Sequence, residues 1–165
     1  MPAIPGDPSR HPRGGLYFEA IEPGRVYAHP LRRTVTQADN MLFSNMTLNP
    51  QPLHIDAHYC ATETEWGKPL MNSLLTLGLM IGISVSDLSV GATIANLGLT
   101  DARFPAPLFD GDTIHCTTEV VSARPSKSRP DVGVVDYLHK AFNQNDTLVA
   151  ECRRQSLVRR RPKEA

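Results

Sequence analysis

The segment of this sequence best suited to chemistry runs Asn49-Pro50-Gln51-Pro52-Leu53-His54-Ile55-Asp56. A histidine ordinarily titrates near pH ~6.5, so it can take and give protons close to neutrality. Pro50 and Pro52 stiffen the turn before His54 and leave the backbone little freedom to lose when the imidazole is held in place. Asp56, two residues on, could orient that imidazole or stabilise its charge. An ordinary loop histidine followed by a helix-capping carboxylate would read the same way, and Asp56 suits an N-cap under either reading. The three cysteines, Cys60, Cys116 and Cys152, are widely spaced and form no C-x-x-C pair. An odd count cannot complete a disulfide framework, so a reducing cytoplasm is expected, with no metal site. Cys60 reads as a packing residue rather than a nucleophile.

The elements that must hold His54 follow from periodicity. Thr36 can cap a helix beginning TQADNMLF, with apolar Met41, Leu42 and Met46 following, and the Pro50 and Pro52 steps must end it. A short helix from Asp56 to Thr64 ends near Gly67 and Pro69. Leu70–Ser86 is the one long helix candidate, apolar on nearly all sides and therefore buried. Gly78 and Gly82 lie on one face of it, which predicts tight packing against a sheet. From Ala92 onward the pattern turns to strands: ATIANLGLTDARF, GDTIHCTTEVVSARP, VGVVDYLHKAF and TLVAECRRQSLVRR, separated by polar or proline-rich turns. In the second, Ile114, Cys116, Thr118 and Val120 share one face. An earlier strand is expected within Arg25–Val35. The result is an α+β domain, one long helix wrapped by an antiparallel sheet, over residues 16–158. Residues 1–15, rich in Pro and Gly, read as a flexible arm, and residues 159–165 as a basic tail. One helix covers only one sheet face, so a homodimer is expected.

The chain has 165 residues and balances 17 Lys and Arg against 17 Asp and Glu. That length suits one domain with a core of its own. Zero net charge argues against a surface built for nucleic acid. No secretory signal is visible, and the polar residues inside the 70–90 stretch argue against a membrane span. Charge is uneven, however: Arg153, Arg154, Arg159, Arg160, Arg161 and Lys163 form a basic run with no acid in it. This is either a solvated strand end or a phosphate-binding patch.

Three segments, in order and spanning about residues 17–158, resemble the MaoC-like dehydratases, which include the (R)-specific enoyl-CoA hydratases. NPQPLHID is similar to that family's D-x-N-P-[LI]-H-x-D motif. YCATETEWGKPLMNSLLTLGL resembles its Y-A-x-x-x-x-F-G-x-P stretch and the helix after it, and RFPAPLFDGDTIHCTTEVV its F-x-x-P-V-x-x-G-D-T strand pair.

The resemblance implies a hot-dog fold and a lyase that hydrates or dehydrates an enoyl-CoA thioester, with coenzyme A as part of the substrate and no separate cofactor. In that family an Asp and a His move the protons of water addition, and a backbone N–H at the start of the long helix polarises the thioester carbonyl. His54 matches the family His and Asp56 the Asp after it. The catalytic Asp position holds Asn49, and the motif Asn is Gln51. Asn72 and Ser73 stand where the family has His-Gly. An amide is no general base, so Asn49 can orient water but cannot deprotonate it. Three outcomes follow: His54 acts alone with Asn49 positioning water, Asp39 or Asp56 replaces the missing carboxylate, or the pocket only binds acyl-CoA. Loss of a pocket anion suits a substrate with its own carboxylate, of the mesaconyl or itaconyl type. Thioesterase activity is the alternative common on this fold, although Asp87 lies at the far end of the helix from His54. Arg103, Arg153 and Arg154 are candidate contacts for the coenzyme A phosphates, beside Gln51, Asn72 and Ser73 in the acyl site.

Overall fold

The computed structural model describes residues 7–162. A sheet in the order β1-β4-β5-β6-β3 wraps one central helix, with every pairing antiparallel. The strands are β1 (Val26–Ala28), β2 (Arg33–Thr34), β3 (Thr93–Arg103), β4 (Thr113–Pro125), β5 (Val132–Phe142) and β6 (Leu148–Arg159). This is the α+β hot-dog arrangement that the resemblance implies. The four strands expected after Ala92 all form, and β4 buries Ile114, Cys116, Thr118 and Val120 as the alternation predicts. The strand expected over Arg25–Val35 is instead two short pieces, β1 and β2, both paired with β4. Pro30 lies between them and has no N–H to give to a ladder.

The helices are α1 (Gln37–Met46), α2 (Pro52–Ile55), α3 (Ala57–Glu63) and α4 (Ser73–Ser84), the last extended by a π turn at Val85–Ser89. Thr36 caps α1 in a full capping box, its hydroxyl taking the Asp39 N–H while the Asp39 carboxylate takes the Thr36 N–H. The apolar side of α1 faces outward, with Met41, Leu42 and Met46 exposed, and its buried residues are Asn40 and Ser44. A methyl at Gly78 or Gly82 would meet nothing within 4 Å, so these glycines leave α4 open on that side rather than packing it tightly on the sheet. Residues 7–15, expected within a flexible arm, are tied to the far end of α4: the Gly15 N–H donates to Val90 O and Arg10 Nη1 to Asp87 O. Residues 1–6 of that arm and 163–165 of the basic tail lie outside the described residues.

Gly15 sits so close to the chain after α4 that a Cβ there would fall 2.6 Å from Val90 O. Backbone on both sides has nowhere to go. Gly15→Ala is therefore expected to lower unfolding free energy by ~1–3 kcal/mol, read as a lower denaturant midpoint at unchanged m.

Two apolar clusters fill the interior. One lies under α4 around Met80, Ile83, Ile114 and Cys152, the other beyond it around Leu16, Leu88, Val120 and Tyr137. A polar chain crosses between them. Arg154 Nε donates to His139 Nε2 at 3.0 Å. His139 Nδ1–H therefore donates to Thr118 Oγ1 at 2.7 Å, the Thr118 hydroxyl to His29 Nε2 at 2.7 Å, and His29 Nδ1–H to Asp87 at 2.9 Å. An arginine can only donate, which leaves the His139 proton on Nδ1, and a carboxylate can only accept, which sets the His29 proton on Nδ1; with both rings neutral, the Thr118 hydroxyl donates onward to His29. Burial pushes the His139 imidazole down to about 3, helped by the Arg154 guanidinium beside it.

This chain corrects the reading of Arg154 as a coenzyme A contact. Arg154 is only 2% exposed, on the helix-facing side of β6 with Cys152, Ser156 and Val158, and its guanidinium lies 5.3 Å from the centroid of the Tyr137 ring. Asp87 belongs to the same chain.

Candidate active site

His54 lies in α2, a single turn that starts at Pro52, where a residue lacking an N–H is tolerated because the first N–H groups of a helix have no partner. The Leu53 carbonyl accepts the Leu70 N–H, which lays the loop before α4 against α2. His54 Nδ1 is 2.9 Å from Leu70 O. A carbonyl only accepts, so Nδ1 carries the proton, and the Nε2 of the neutral ring keeps its lone pair. The ring lines a pocket of about 470 Å³. Its walls are largely apolar (Leu53, Leu70, Met71, Leu108, Val149, Phe104 and Trp66), and its polar lining comes from Gln51, His54, Ser73 and Thr76. His54 is the one ionisable side chain in that lining.

Ser73 is the first residue of α4. Asn72 Oδ1 takes the Leu74 N–H at 3.0 Å, and Asn40 Oδ1 takes the Asn72 N–H at 2.8 Å. The Ser73 N–H has no partner among the described residues, and Ser73 lines the pocket at the positive end of α4.

Several expected site residues are placed elsewhere. Asn49 is outside the lining, and its Oδ1 accepts the Gln51 N–H at 3.1 Å, an Asx turn that shapes the approach to α2. Asp56 is a helix cap, as one reading allowed: its Oδ1 takes the Tyr59 N–H at 2.9 Å, and it does not reach the His54 ring or the pocket. Asp39 is held in the capping box and by Arg33 at 2.7 Å, with the hydrogen bond from Thr36 keeping its carboxyl below the usual range, and it lies outside the pocket lining. The Asn72 side chain is turned into the structure, with Nδ2 donating to Ser44 Oγ, so it does not bind substrate directly. Of the expected residues, the structure thus brings together His54, Gln51 and Ser73.

Arg103 precedes the wall residue Phe104, is mostly exposed, and lies 4.0 Å from Glu151. Arg153 is exposed on the opposite side of β6 from Arg154 and lies 3.8 Å from Asp136. The basic run at 159–161 belongs to a separate, larger groove of about 840 Å³, shared with His11, Glu19 and Asp131. That groove is ten residues along β6 from the wall residue Val149, or roughly 30 Å, and Glu19 accepts from both Arg160 Nε and the Arg161 N–H. Its histidine, His11, takes the Arg13 N–H on Nδ1 at 3.1 Å.

Sequence reasoning missed Trp66 and Phe104 as wall residues, and Asn40 behind the site. Nothing local in QADNMLF marks Asn40, whose partners lie fourteen to thirty-two residues away.

Among the described residues, no helix is long and apolar enough to cross a membrane. The profile of the MaoC like domain matches residues 18–141. The β-methylmalyl-CoA dehydratase of Chloroflexus aurantiacus is 33% identical over 148 residues, covering 89% of this chain and 41% of that protein. The mesaconyl-CoA hydratase of Cereibacter sphaeroides is 27% identical, covering 89% and 42%. A Mycobacterium tuberculosis protein described as a double hotdog fold superposes with a TM-score of 0.81 at 26% identity, covering 92% of this chain and 46% of that one. The chain thus spans about two fifths of the length of these two curated relatives. With the fold, the His54 turn and the matched span in agreement, the chain belongs to the MaoC-like domain family.

Proposed function

We propose that this chain is a lyase that adds water to, or removes it from, an enoyl-CoA thioester. The observation that carries the reading is the His54 imidazole, pinned by Leu70 O so that its Nε2, with its lone pair, is the only basic side-chain nitrogen in an apolar pocket that Ser73 also lines. In the hydration direction, Nε2 takes a proton from water as the water oxygen bonds to C3. The electrons of the double bond move toward the thioester oxygen, where the Ser73 N–H and the α4 dipole stabilise the charge. The imidazolium then returns a proton to C2, and the carbonyl reforms. A single acid–base group places both additions on one face of the double bond. The Gln51 amide, in the wall, positions the water, a role expected of Asn49 in the first of the three outcomes above.

The relatives named for β-methylmalyl-CoA and mesaconyl-CoA favour a short branched substrate with its own carboxylate. A pocket lining without acidic side chains accepts such an anion without repulsion, and Arg103 next to Phe104 is the cation nearest in sequence to the wall. Arg103 and Arg153 remain candidates for the coenzyme A phosphates. The free, buried cysteines fit a cytoplasmic protein. The reading needs no cofactor beyond the coenzyme A that the substrate carries.

The test is purified protein against a panel of enoyl-CoAs, followed by enoyl-thioester absorbance and by free thiol. Loss of absorbance without thiol release supports the proposal. Thiol release points to a thioesterase, and calorimetric binding without turnover to an acyl-CoA-binding module.

A homodimer completes this proposal. Leu74 on α4 and Leu97 and Leu99 on the edge strand β3 are 58%, 50% and 46% exposed, and the Gly78–Gly82 side of α4 is open. Such a face calls for a cover, and a second copy supplies one. The wild type is expected to run at twice its 18.2 kDa by light scattering, and a Leu97→Lys, Leu99→Lys double variant at the single-chain mass.

A further inference from the structure

We infer that Asn40 is a positioning residue that sets the tautomer and placement of His54 and joins it to the start of α4, an inference that rests on the hydratase reading above. Asn40 is fully buried in α1, fourteen residues from His54 and thirty from Leu70. Its Nδ2 donates to Leu70 O at 2.9 Å and to His54 O at 2.9 Å, and its Oδ1 accepts the Asn72 N–H at 2.8 Å. One amide therefore grips both halves of the site: the carbonyl that holds the imidazole and the peptide that precedes the free Ser73 N–H.

The orientation of the amide is fixed by its partners. Two carbonyls can only accept and one N–H can only donate, so the nitrogen must face Leu70 and His54 and the oxygen must face Asn72. Asparagine alone meets this arrangement. An isosteric aspartate keeps the acceptor for Asn72 but sets a second oxygen against two carbonyl oxygens, removing both donations and adding repulsion. Leu70 O already takes the His54 Nδ1–H, so moving that carbonyl frees the ring to rotate or to adopt the other tautomer. With Nε2 protonated, the ring has no lone pair to offer in the pocket. Gln37 Nε2 also donates to His54 O, which shares the hold on the α2 backbone but leaves Leu70 O to Asn40 and the ring. Ser44, one turn along α1, carries the same polar face to Asn72.

The experiment reads the His54 ring directly, by long-range proton–nitrogen NMR of the full chain, and kcat and KM on an enoyl-CoA separately. Wild type is expected to show one His54 tautomer, protonated at Nδ1. Asn40→Asp and Asn40→Ala, each checked for native circular dichroism, are expected to show mixed tautomers, and kcat to fall ~100-fold with KM within about threefold, the size expected for a misplaced catalytic group. A wild-type ring protonated at Nε2 overturns the inference without any variant. It is equally overturned if a folded variant keeps a single Nδ1–H tautomer, or if the tautomers mix while kcat stays within about threefold of wild type. If no enoyl-CoA turns over, the hydratase reading fails, and the tautomer comparison still decides whether Asn40 positions His54.

Discussion

Replacing His54 with alanine is expected to lower kcat for enoyl-thioester hydration by at least ~1,000-fold while KM stays within about threefold, an energy of ~4 kcal/mol in the transition state alone. The size follows from the absence of a substitute. In many acid–base sites a second carboxylate or a histidine can take over part of the work. Here Asn49 occupies the position where the family carries Asp, its oxygen is committed to the Gln51 N–H, and neither Asp39 nor Asp56 is free to reach in. The pocket lining of this chain holds no other ionisable side chain. KM is spared because the walls that hold the acyl group, Leu53, Leu70, Met71 and Leu108, are untouched. Added imidazole, small enough for the space left behind, is expected to restore part of the rate. A kcat within tenfold of wild type would place the chemistry elsewhere.

The second large effect is on stability. His139 is fully buried with an imidazole that titrates at about 3 in the folded chain against 6.5 when exposed. Between those values the unfolded chain binds a proton that the folded chain refuses. The stability that comes from keeping His139 neutral is therefore complete above pH 6.5 and is lost as pH falls toward 3. The slope is ~1.4 kcal/mol per pH unit, up to ~5 kcal/mol over the full window. Carboxylates begin to contribute only as pH approaches their ordinary values of 3.8 to 4.5, so the span from 6.5 to 4.5 isolates the histidine contribution. Chemical denaturation across that span is expected to lose ~3 kcal/mol in wild type. His139→Gln, whose amide can still accept from Arg154 and donate to Thr118, is expected to start less stable at pH 7 and to lose most of that slope. An unchanged slope would show that another group carries the acid sensitivity.

The local patterns in the sequence served where one element decides the outcome. Alternation along β4 placed Ile114 and Cys116 inside, capping logic placed Thr36 and Asp56 at helix starts, and the histidine singled out after Pro50 and Pro52 lines a pocket. What escaped was set by long-range partners. Arg154 joined a basic run that looked solvated, yet it shares the parity of Cys152, Ser156 and Val158. A strict two-residue period would have put it inside, but what makes a buried cation tolerable is His139 on the neighbouring strand and Asn96 on the other side. Asn40 was passed over because its three main partners sit fourteen to thirty-two residues away. Gly78 and Gly82 looked like packing glycines. Nothing in a single chain's periodicity distinguishes a face pressed on its own sheet from one left open.

In the proposed mechanism the His54 Nε2 lone pair and the Ser73 N–H flank the reacting enoyl thioester. A crystal structure with a bound, unreactive enoyl-CoA analogue tests it most directly. The account predicts the thioester oxygen within hydrogen-bonding distance of the Ser73 N–H, the C2 and C3 carbons facing His54 Nε2, and a water between Nε2 and Gln51. A thioester seated away from α4, or an imidazole turned with Nε2 on Leu70 O, would contradict it.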